Sequence, residues 1–479
     1  LPTKGKQESE DFEGGAVFDP ITGVRENISV LDLKCFSSDT DVLTPSGPKS
    51  ITEIEVGDTV YTLNPETFEC EVSSVAETHE YDNKYGELHH LSGNTHDFKI
   101  TENHRFLASK TRGWDEQTPD DFEFTEYRDL TDSERYAFPQ HQPVSGRTPE
   151  TFDLAADLET GHIAVYCDED LRWFRNRMPE PVTEQLDLAH GSSAAMGVQQ
   201  KVGKYLLPMS VYLSHRETVE SHADGVFLKY DRGHGELSTR FEMADWLELV
   251  GWYVTEGSLD SARGRVTLHQ SDADGRATIR ALLDRMDIPY STDDRGFNIS
   301  NQHLVNWLGA HCGHDAANKQ LPTWAFELDG ELLRGLLDTL IQGDGSRTAS
   351  GLERYWTTSD TLKNDIVDLA VRCGEKPTVS KESDDTWYIS IGKRGSFNKS
   401  TNATTEPHDG TVHCITAEDN HVILAGRNGH YQWIGQSLYP MCMVTINAGP
   451  ETKVNDEFAG ETYRAPNGTQ FRKEPDGIM

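Results

Sequence analysis

Positive charge is scarce in this sequence: 44 Lys and Arg stand against 80 Asp and Glu, a formal net charge of -36 over 479 residues. General nucleic-acid coats carry a basic footprint, so that class is excluded. Cysteine is scattered. The seven, at 35, 70, 167, 312, 373, 414 and 442, form no CxxC pair and no dense framework. This argues against a disulfide scaffold and for a reducing, cytoplasmic setting with room for a reactive thiol. His311-Cys312-Gly313-His314 lacks a second ligand pair at zinc spacing, which sets that metal aside. No apolar run reaches the ~18 residues that a membrane span needs, and no signal-peptide pattern opens the chain. Leu1 enters mid-pattern, so the sequence reads as a segment of something longer. The surplus is carboxylate, which suits a protein that stays soluble in concentrated salt, where screening blunts self-repulsion.

Aromatics make up 9% and strand and helix patterns recur, which excludes disorder and predicts several domains. From Cys35 to about residue 110, short strands alternate with turns, as in Val42-Leu43-Thr44, Pro45-Ser46-Gly47 and Thr59-Val60-Tyr61-Thr62-Leu63. Turn signals every ten or so residues predict an all-β unit. Residues 111–240 are acidic and mixed, and predict only a linker with accessory structure. Further on, Trp246, Leu249, Trp252, Tyr253 and Glu256 follow a helical period, as do Leu332, Leu333, Leu336, Leu337 and Leu340. Lys393 to Gly410 is polar and rich in Thr, Asn and Ser, which predicts a loop. Val412 to Leu424 reads as strands again. The pattern is a β unit interrupted by a helical insert and then resumed.

Four ordered blocks give the β unit a resemblance. Cys35-Phe36, Asp39-Thr40-Asp41-Val42-Leu43-Thr44-Pro45 and Val56-Gly57-Asp58 together look like the N-terminal block of an intein. Gly93 with Thr101-Glu102-Asn103-His104 resembles the TxxH block of that family. Val412 to His421 resembles the penultimate block, and Trp433-Ile434-Gly435-Gln436-Ser437 the end. One block alone is a weak signal, whereas four in order are strong. The resemblance implies a β-rich horseshoe splicing domain of the Hint type, working without a cofactor. Cleaving a peptide bond without water needs a nucleophile beside it, and the Cys35 thiol can attack the Lys34 carbonyl. Thr101 and His104 would polarise that amide, with His104 protonating the leaving nitrogen. Ser437 would then take over the N-terminal segment, and Gln436 would close its side-chain amide onto its own carbonyl. Two departures stand out. The family usually ends in His-Asn, whereas Gly435-Gln436 lacks the imidazole, so His421 becomes the candidate for polarising that step. Cys414 stands where an Asp is common, so coupling of the steps passes to a thiol.

The insert carries a second resemblance. Leu249-Val250-Gly251-Trp252-Tyr253-Val254-Thr255-Glu256-Gly257 is similar to the LAGLIDADG motif of homing endonucleases. Leu337-Asp338-Thr339-Leu340-Ile341-Gln342-Gly343-Asp344-Gly345 resembles a second copy, with Thr339 in place of the usual Gly. Two such helices, packed close through small residues, would bring Glu256 and Asp344 together at their ends. Two carboxylates that close call for a cation, and the resemblance implies Mg2+, activating water and steadying a leaving phosphate oxygen. Lys319 matches the family's basic residue between the motifs. The implied partner is double-stranded DNA at the empty insertion site, cut by a monomer with two pseudo-symmetric repeats. Arg263, Arg265, Arg295, Lys381 and Arg394 are candidate contacts. Asp272-Ala273-Asp274-Gly275 spells the motif's tail without the apolar helix before it.

Joining Lys34 to Ser437 gives Leu31-Asp32-Leu33-Lys34-Ser437-Leu438-Tyr439-Pro440, which looks like the motif A strand of B-family DNA polymerases, closest to haloarchaeal versions. That resemblance implies that Asp32 holds magnesium and Tyr439 lies under the nucleotide sugar, in the intact polymerase only. The flanks alone lack the partner carboxylates and are not expected to polymerise. The expected architecture is therefore a mainly β Hint-type splicing domain interrupted by an α/β two-repeat LAGLIDADG domain, with short polymerase stubs. Its boundaries fall at 1–34 (upstream flank), 35–140 (first splicing part), 141–240 (accessory), 241–400 (endonuclease), 401–436 (second splicing part) and 437–479 (downstream flank). Two alternatives stay open: an autoprocessing domain that only cleaves, against which Gln436 and Ser437 speak, and a splicing unit with a degenerate, inactive endonuclease.

Overall fold

The computed structural model describes residues 34–83, 85–111, 117–158, 161–167, 171–188, 203–229, 237–392 and 395–436, with short strands at Thr462–Arg464, Gln470–Glu474 and Gly477–Ile478. Asp32, Arg394, Ser437 and Tyr439 lie outside the described residues.

Strands from both ends of the chain interleave. β1 (Phe36–Ser37), β2 (Cys70–Asp82), β3 (His96–Ile100) and β4 (Arg105–Lys110) precede the insert. β5 (Lys376–Ser383) belongs to it, and β6 (Thr411–Ala417), β7 (Val422–Arg427) and β8 (His430–Gly435) follow. β6 pairs antiparallel with β2 from Thr411 opposite Asp82 to Ala417 opposite Val75. β1 is wedged between β6 and β3, with Phe36 opposite both His413 and Ile100. Alternation drives this arrangement: His96, Phe98 and Ile100 of β3 point inward while Asp97 and Lys99 stay at the rim. Phe36, Phe98, Phe106, Ile415 and Ile434 meet in one core, so neither segment buries its apolar face without the other.

In the insert, helix α1 (Met243–Glu256) packs along helix α2 (Gly330–Asp344). The Asp329 side chain caps α2 by accepting from the Glu331 N–H. A Cβ on Gly251 would stand 2.8 Å from Thr339 Cγ2, and one on Gly343 would stand 2.3 Å from Thr255 Oγ1. The two glycines thus set the approach, and Thr339 is accommodated opposite one of them. Each helix leads into two strands, a second helix and two more strands. The resulting four-stranded antiparallel sheets share one order, with the last strand in sequence third in each. The second sheet does not end at the insert: Thr378 of β5 pairs with His430 of β8.

Two stretches differ from expectation. Within 111–240, Glu123–Glu126 and Arg135–Ala137 flank β4 as part of the β unit that begins at Cys35. Farther along, His162–Cys167, Gly203–Pro208 and Gly225–Lys229 form the middle of a five-stranded antiparallel sheet, accessory structure whose fold the sequence left open. Of the stretch expected to be a loop, the described residues 396–407 form regular elements. Ser396–Asn398 pairs with Arg135–Ala137, Asn398 caps a short helix at Lys399–Asn402, and Ala403–Pro407 pairs with Glu87–Gly93. Its polarity reflects a sheet edge, where side chains face water. Among the described residues, no helix is long and apolar enough to cross a membrane.

Two candidate catalytic centres

The first centre gathers residues from β1, β4, β8 and the turns beside them. Cys35, Thr101, His104 and Gln436 are all fully buried. The Cys35 N–H donates to Thr101 Oγ1 at 3.2 Å, and the Thr101 N–H donates back to the Cys35 carbonyl at 3.1 Å. A strand residue that points both backbone groups to one side leaves its other neighbour in the close, non-hydrogen-bonded position. The register that sets Phe36 opposite His413 makes that neighbour Cys414. The two thiols share one apolar cluster with Leu88 and Val412, and Tyr81 packs against it. Burial and then the adjacent thiols push the Tyr81 phenol up to about 12.

The His104 ring stands edge-on to Phe36 at 4.4 Å between centroids. Burial holds its imidazole far down, to about 3, opposed by the backbone of Gly435 and of Cys35 and assisted by Lys34 and Arg105. His104 is therefore neutral at ordinary pH, and its ring lies against both ends of the β unit. Neither ring nitrogen makes a well-formed hydrogen bond among the described residues.

Gln436 closes β8. Its N–H donates to the His421 carbonyl at 3.0 Å, and its side-chain Oε1 accepts from the Ala417 N–H at 3.2 Å. Its Nε2 is buried with no partner among the described residues. Arg105 Nη2 donates to its backbone carbonyl at 2.8 Å. His421 sits in a tight turn with Asn420, at φ 49 and 65, the left-handed region that Asn adopts more readily than most. Burial, then Arg105, lower its imidazole, with Asp419 opposing. Asp39 is engaged by Arg427 from β7, which also donates to Asp97 at 2.8 Å.

The second centre lies where α1 and α2 end. Burial and then Asp344 push Glu256 up to about 7, while Gln270 Nε2 donates to its Oε1 at 3.1 Å. Burial pushes Asp344 up to about 6 against the pull of Lys319. Lys319 is itself buried. Its Nζ donates to the Tyr253 and Gly257 carbonyls at 2.8 and 3.1 Å, neutralising the negative end of α1, and stands 3.3 Å from the Tyr253 ring centroid. Burial lowers its ammonium to about 8. A cavity of about 280 Å³ opens beside it, lined by Thr255, Gly257, Lys319, Asp344, Trp356 and Thr357 among others.

No group of three or more His, Cys, Asp or Glu that could hold a metal occurs among the described residues. A two-carboxylate set still fits Mg2+, which keeps waters and takes phosphate oxygens from a substrate. The sheet cations are arranged less simply. Arg263 and Arg265 both pair with Asp260, and Lys381 donates to the Asp384 carbonyl. Arg295 lies at the turn before Gly296–Ser300, and Asp272 is the cap of Ala273–Arg285.

No protein-family model matches the chain. Among curated proteins, an ATP-dependent Clp protease proteolytic subunit from Chlamydomonas moewusii is 19% identical over 371 residues, 77% of this chain. The chain spans only 31% of that relative's length. Similar solved structures include a bacterial intein-like domain from Clostridium thermocellum, 30% identical with a TM-score of 0.18, over 22% of this chain and 66% of that one. A Ssp DnaB mini-intein variant is 20% identical with a TM-score of 0.18, over 23% and 65%. Mesophilic variants of the homing endonuclease I-DmoI are 12% identical with a TM-score of 0.25, over 31% and 89%.

Sequence reasoning passes over two residues of these centres, Arg105 and Gln270. For Arg105 a signal was available: a lone cation heading Phe106-Leu107-Ala108, a run that is otherwise apolar. For Gln270 there was none, because its partner arrives through the fold of the first sheet.

Proposed function

We propose that residues 35–436 are a self-splicing intein that carries a DNA homing endonuclease. The observation that carries this reading is the meeting of Cys35 and Gln436, from opposite ends of the β unit, around Thr101, His104 and Arg105. Thr101 holds the N–H of the Lys34–Cys35 amide, so that bond is oriented before any chemistry. The Cys35 thiol attacks the Lys34 carbonyl, and neutral His104 carries the thiol proton to the departing Cys35 nitrogen, leaving a thioester. The Ser437 hydroxyl then takes the N-terminal segment from sulfur. Gln436 finally cyclises and releases the intein, His421 fixing its N–H. Cys414, across from Cys35, exchanges protons with it between steps.

For the insert, we propose cleavage of double-stranded DNA by a monomer whose two repeats each supply one acid, Glu256 and Asp344. Mg2+ bound between those acids and a DNA phosphate would supply activated water and charge neutralisation. Lys319 keeps the end of α1 in place and adds positive charge beside Asp344. The flanks are read as parts of a haloarchaeal B-family polymerase, on the sequence across the junction alone. In that reading the target is the empty site in the polymerase gene, and Asp32 and Tyr439 act only after ligation.

Expression of the full chain in about 2 M KCl, where screening is nearly complete, followed by intact-mass analysis, tests the splicing reading. The expected products are a free chain of residues 35–436 and a ligated chain joining Lys34 to Ser437. Cys35→Ala should abolish both, and Gln436→Ala should trap branched or N-cleaved species. A wild-type chain that persists at full mass, with no thioester trapped by added thiol, sinks the proposal.

A further inference from the structure

We infer that Glu126 is a specificity-determining residue that reads the last residue of the upstream flank, selecting the lysine at position 34 by pairing with its ammonium. The inference rests on the splicing reading above and adds to it a selectivity for the flank. Lys34 is 3% exposed, and its Nζ stands 3.7 Å from Glu126 Oε1. The Glu126 side chain is itself only 18% exposed. Lysine is almost never buried this far without an acid beside it, because the ammonium gives up its water on entry. A flank that merely trailed from the β unit would leave this side chain in water.

Glu126 is carried by the machinery it would serve. It lies opposite Arg105, where Glu123–Glu126 pairs with β4. The next two N–H groups, of Tyr127 and Arg128, donate to the carbonyls of His104 at 2.8 Å and Glu102 at 3.0 Å. The acid is thereby fixed to the turn that bears Thr101 and His104. The Lys34–Cys35 amide is held from both sides: Thr101 Oγ1 takes the Cys35 N–H, and Glu126 attracts the Lys34 side chain. A carbonyl gripped at both flanks presents one face to the thiol, and such orientation lowers a barrier. After burial, the Lys34 charge is also among the influences that keep His104 neutral.

Arg128 completes the arrangement. Its Nη2 lies 2.5 Å from Glu126 Oε2, so the carboxylate keeps a cation when ligation carries Lys34 away. The excised chain is not left with a stranded acid. An alanine at position 34 would lose the pairing, and a glutamate would set two carboxylates against each other at short range.

Thiol-induced N-terminal release measures the step. It is followed with dithiothreitol in full chains carrying Gln436→Ala and Ser437→Ala, in which the thioester cannot pass onward. Lys34→Ala and Glu126→Gln are each expected to slow release by about tenfold or more, as for breaking a partly buried charge pair. Lys34→Arg, which keeps the charge, should recover most of the rate. Lys34→Ala and Glu126→Gln together should cost no more than either alone. Losses that multiply, or a Lys34→Ala rate equal to the parent's, overturn the inference. If Glu126→Gln also abolishes C-terminal release, followed in a Cys35→Ala background, the charge swap decides. Release in Lys34→Glu with Glu126→Lys that is faster than in either single reversal supports the pairing, and no gain overturns it. A parent chain that shows no thiol-induced release defeats the splicing reading instead.

Discussion

Burial in this protein decides the charge state of its histidines. His96, His104 and His141 are each enclosed, and desolvation holds them at about 4, 3 and 3. Above the ordinary imidazole range, near 6.5, neither the folded nor the unfolded chain protonates them. Below it, the unfolded chain takes up protons that the folded chain refuses, so stability falls as pH drops from about 6.5 toward 4. In a Cys35→Ala, Gln436→Ala chain, which can neither splice nor release its C-terminal flank, the melting temperature should decline over that window. Adding His104→Gln should make the decline shallower, because one refused proton is gone; an identical slope would show that His104 is not held neutral by the fold. At this scale the sequence singled out Cys35, Thr101, His104 and Gln436 by type and order, and the fold brings these four into one buried cluster. Arg105 was not singled out, since its partner carbonyl lies 331 positions away and only the crossing of β4 and β8 joins them.

Helices α1 and α2 could be read from their spacing, because a helix buried on most sides repeats its apolar residues visibly. The shared strand order of the two sheets could not, since polar edges and short strands leave little periodicity. The same applies to His162–Cys167 and Gly225–Lys229, whose brief apolar runs do not distinguish strand from buried helix. The helix pair makes a separate prediction. Glu256 and Asp344, at about 7 and 6, share protons in the folded chain. Raised carboxylates favour the fold in acid, and that contribution fades as pH rises through their folded values. A divalent cation must displace those protons, so millimolar Mg2+ should raise the melting temperature more at about pH 8 than at about pH 5. Asp344→Asn should remove the cation-dependent gain and DNA cleavage together while leaving splicing intact. A gain equal at both pH values would argue against the acid pair as the ion's site.

Across the whole molecule, 80 acidic residues against 44 basic ones leave a self-repulsion that concentrated salt would relieve. The order of the blocks leads to the expectation that one unit interrupts another. How the two are joined could not be read there, because Tyr61 donating to Asp368, Trp433 to His141 and Thr378 pairing with His430 have no sequence signature. Thr378 joins the insert's second half to β8 directly, His141 bridges Trp433 of β8 to the Val371 carbonyl, and Tyr61 ties the insert to the strand Thr59–Leu63. A chain in which residues 145–392 give way to a short Gly/Ser turn would bare the flank of β8 next to its own cut site. Such a trimmed protein should self-associate on size-exclusion chromatography and release its C-terminal flank more slowly than the parent. The insert is thus also a hem for the β unit, and a lineage that discarded it would first have to stitch another border in its place.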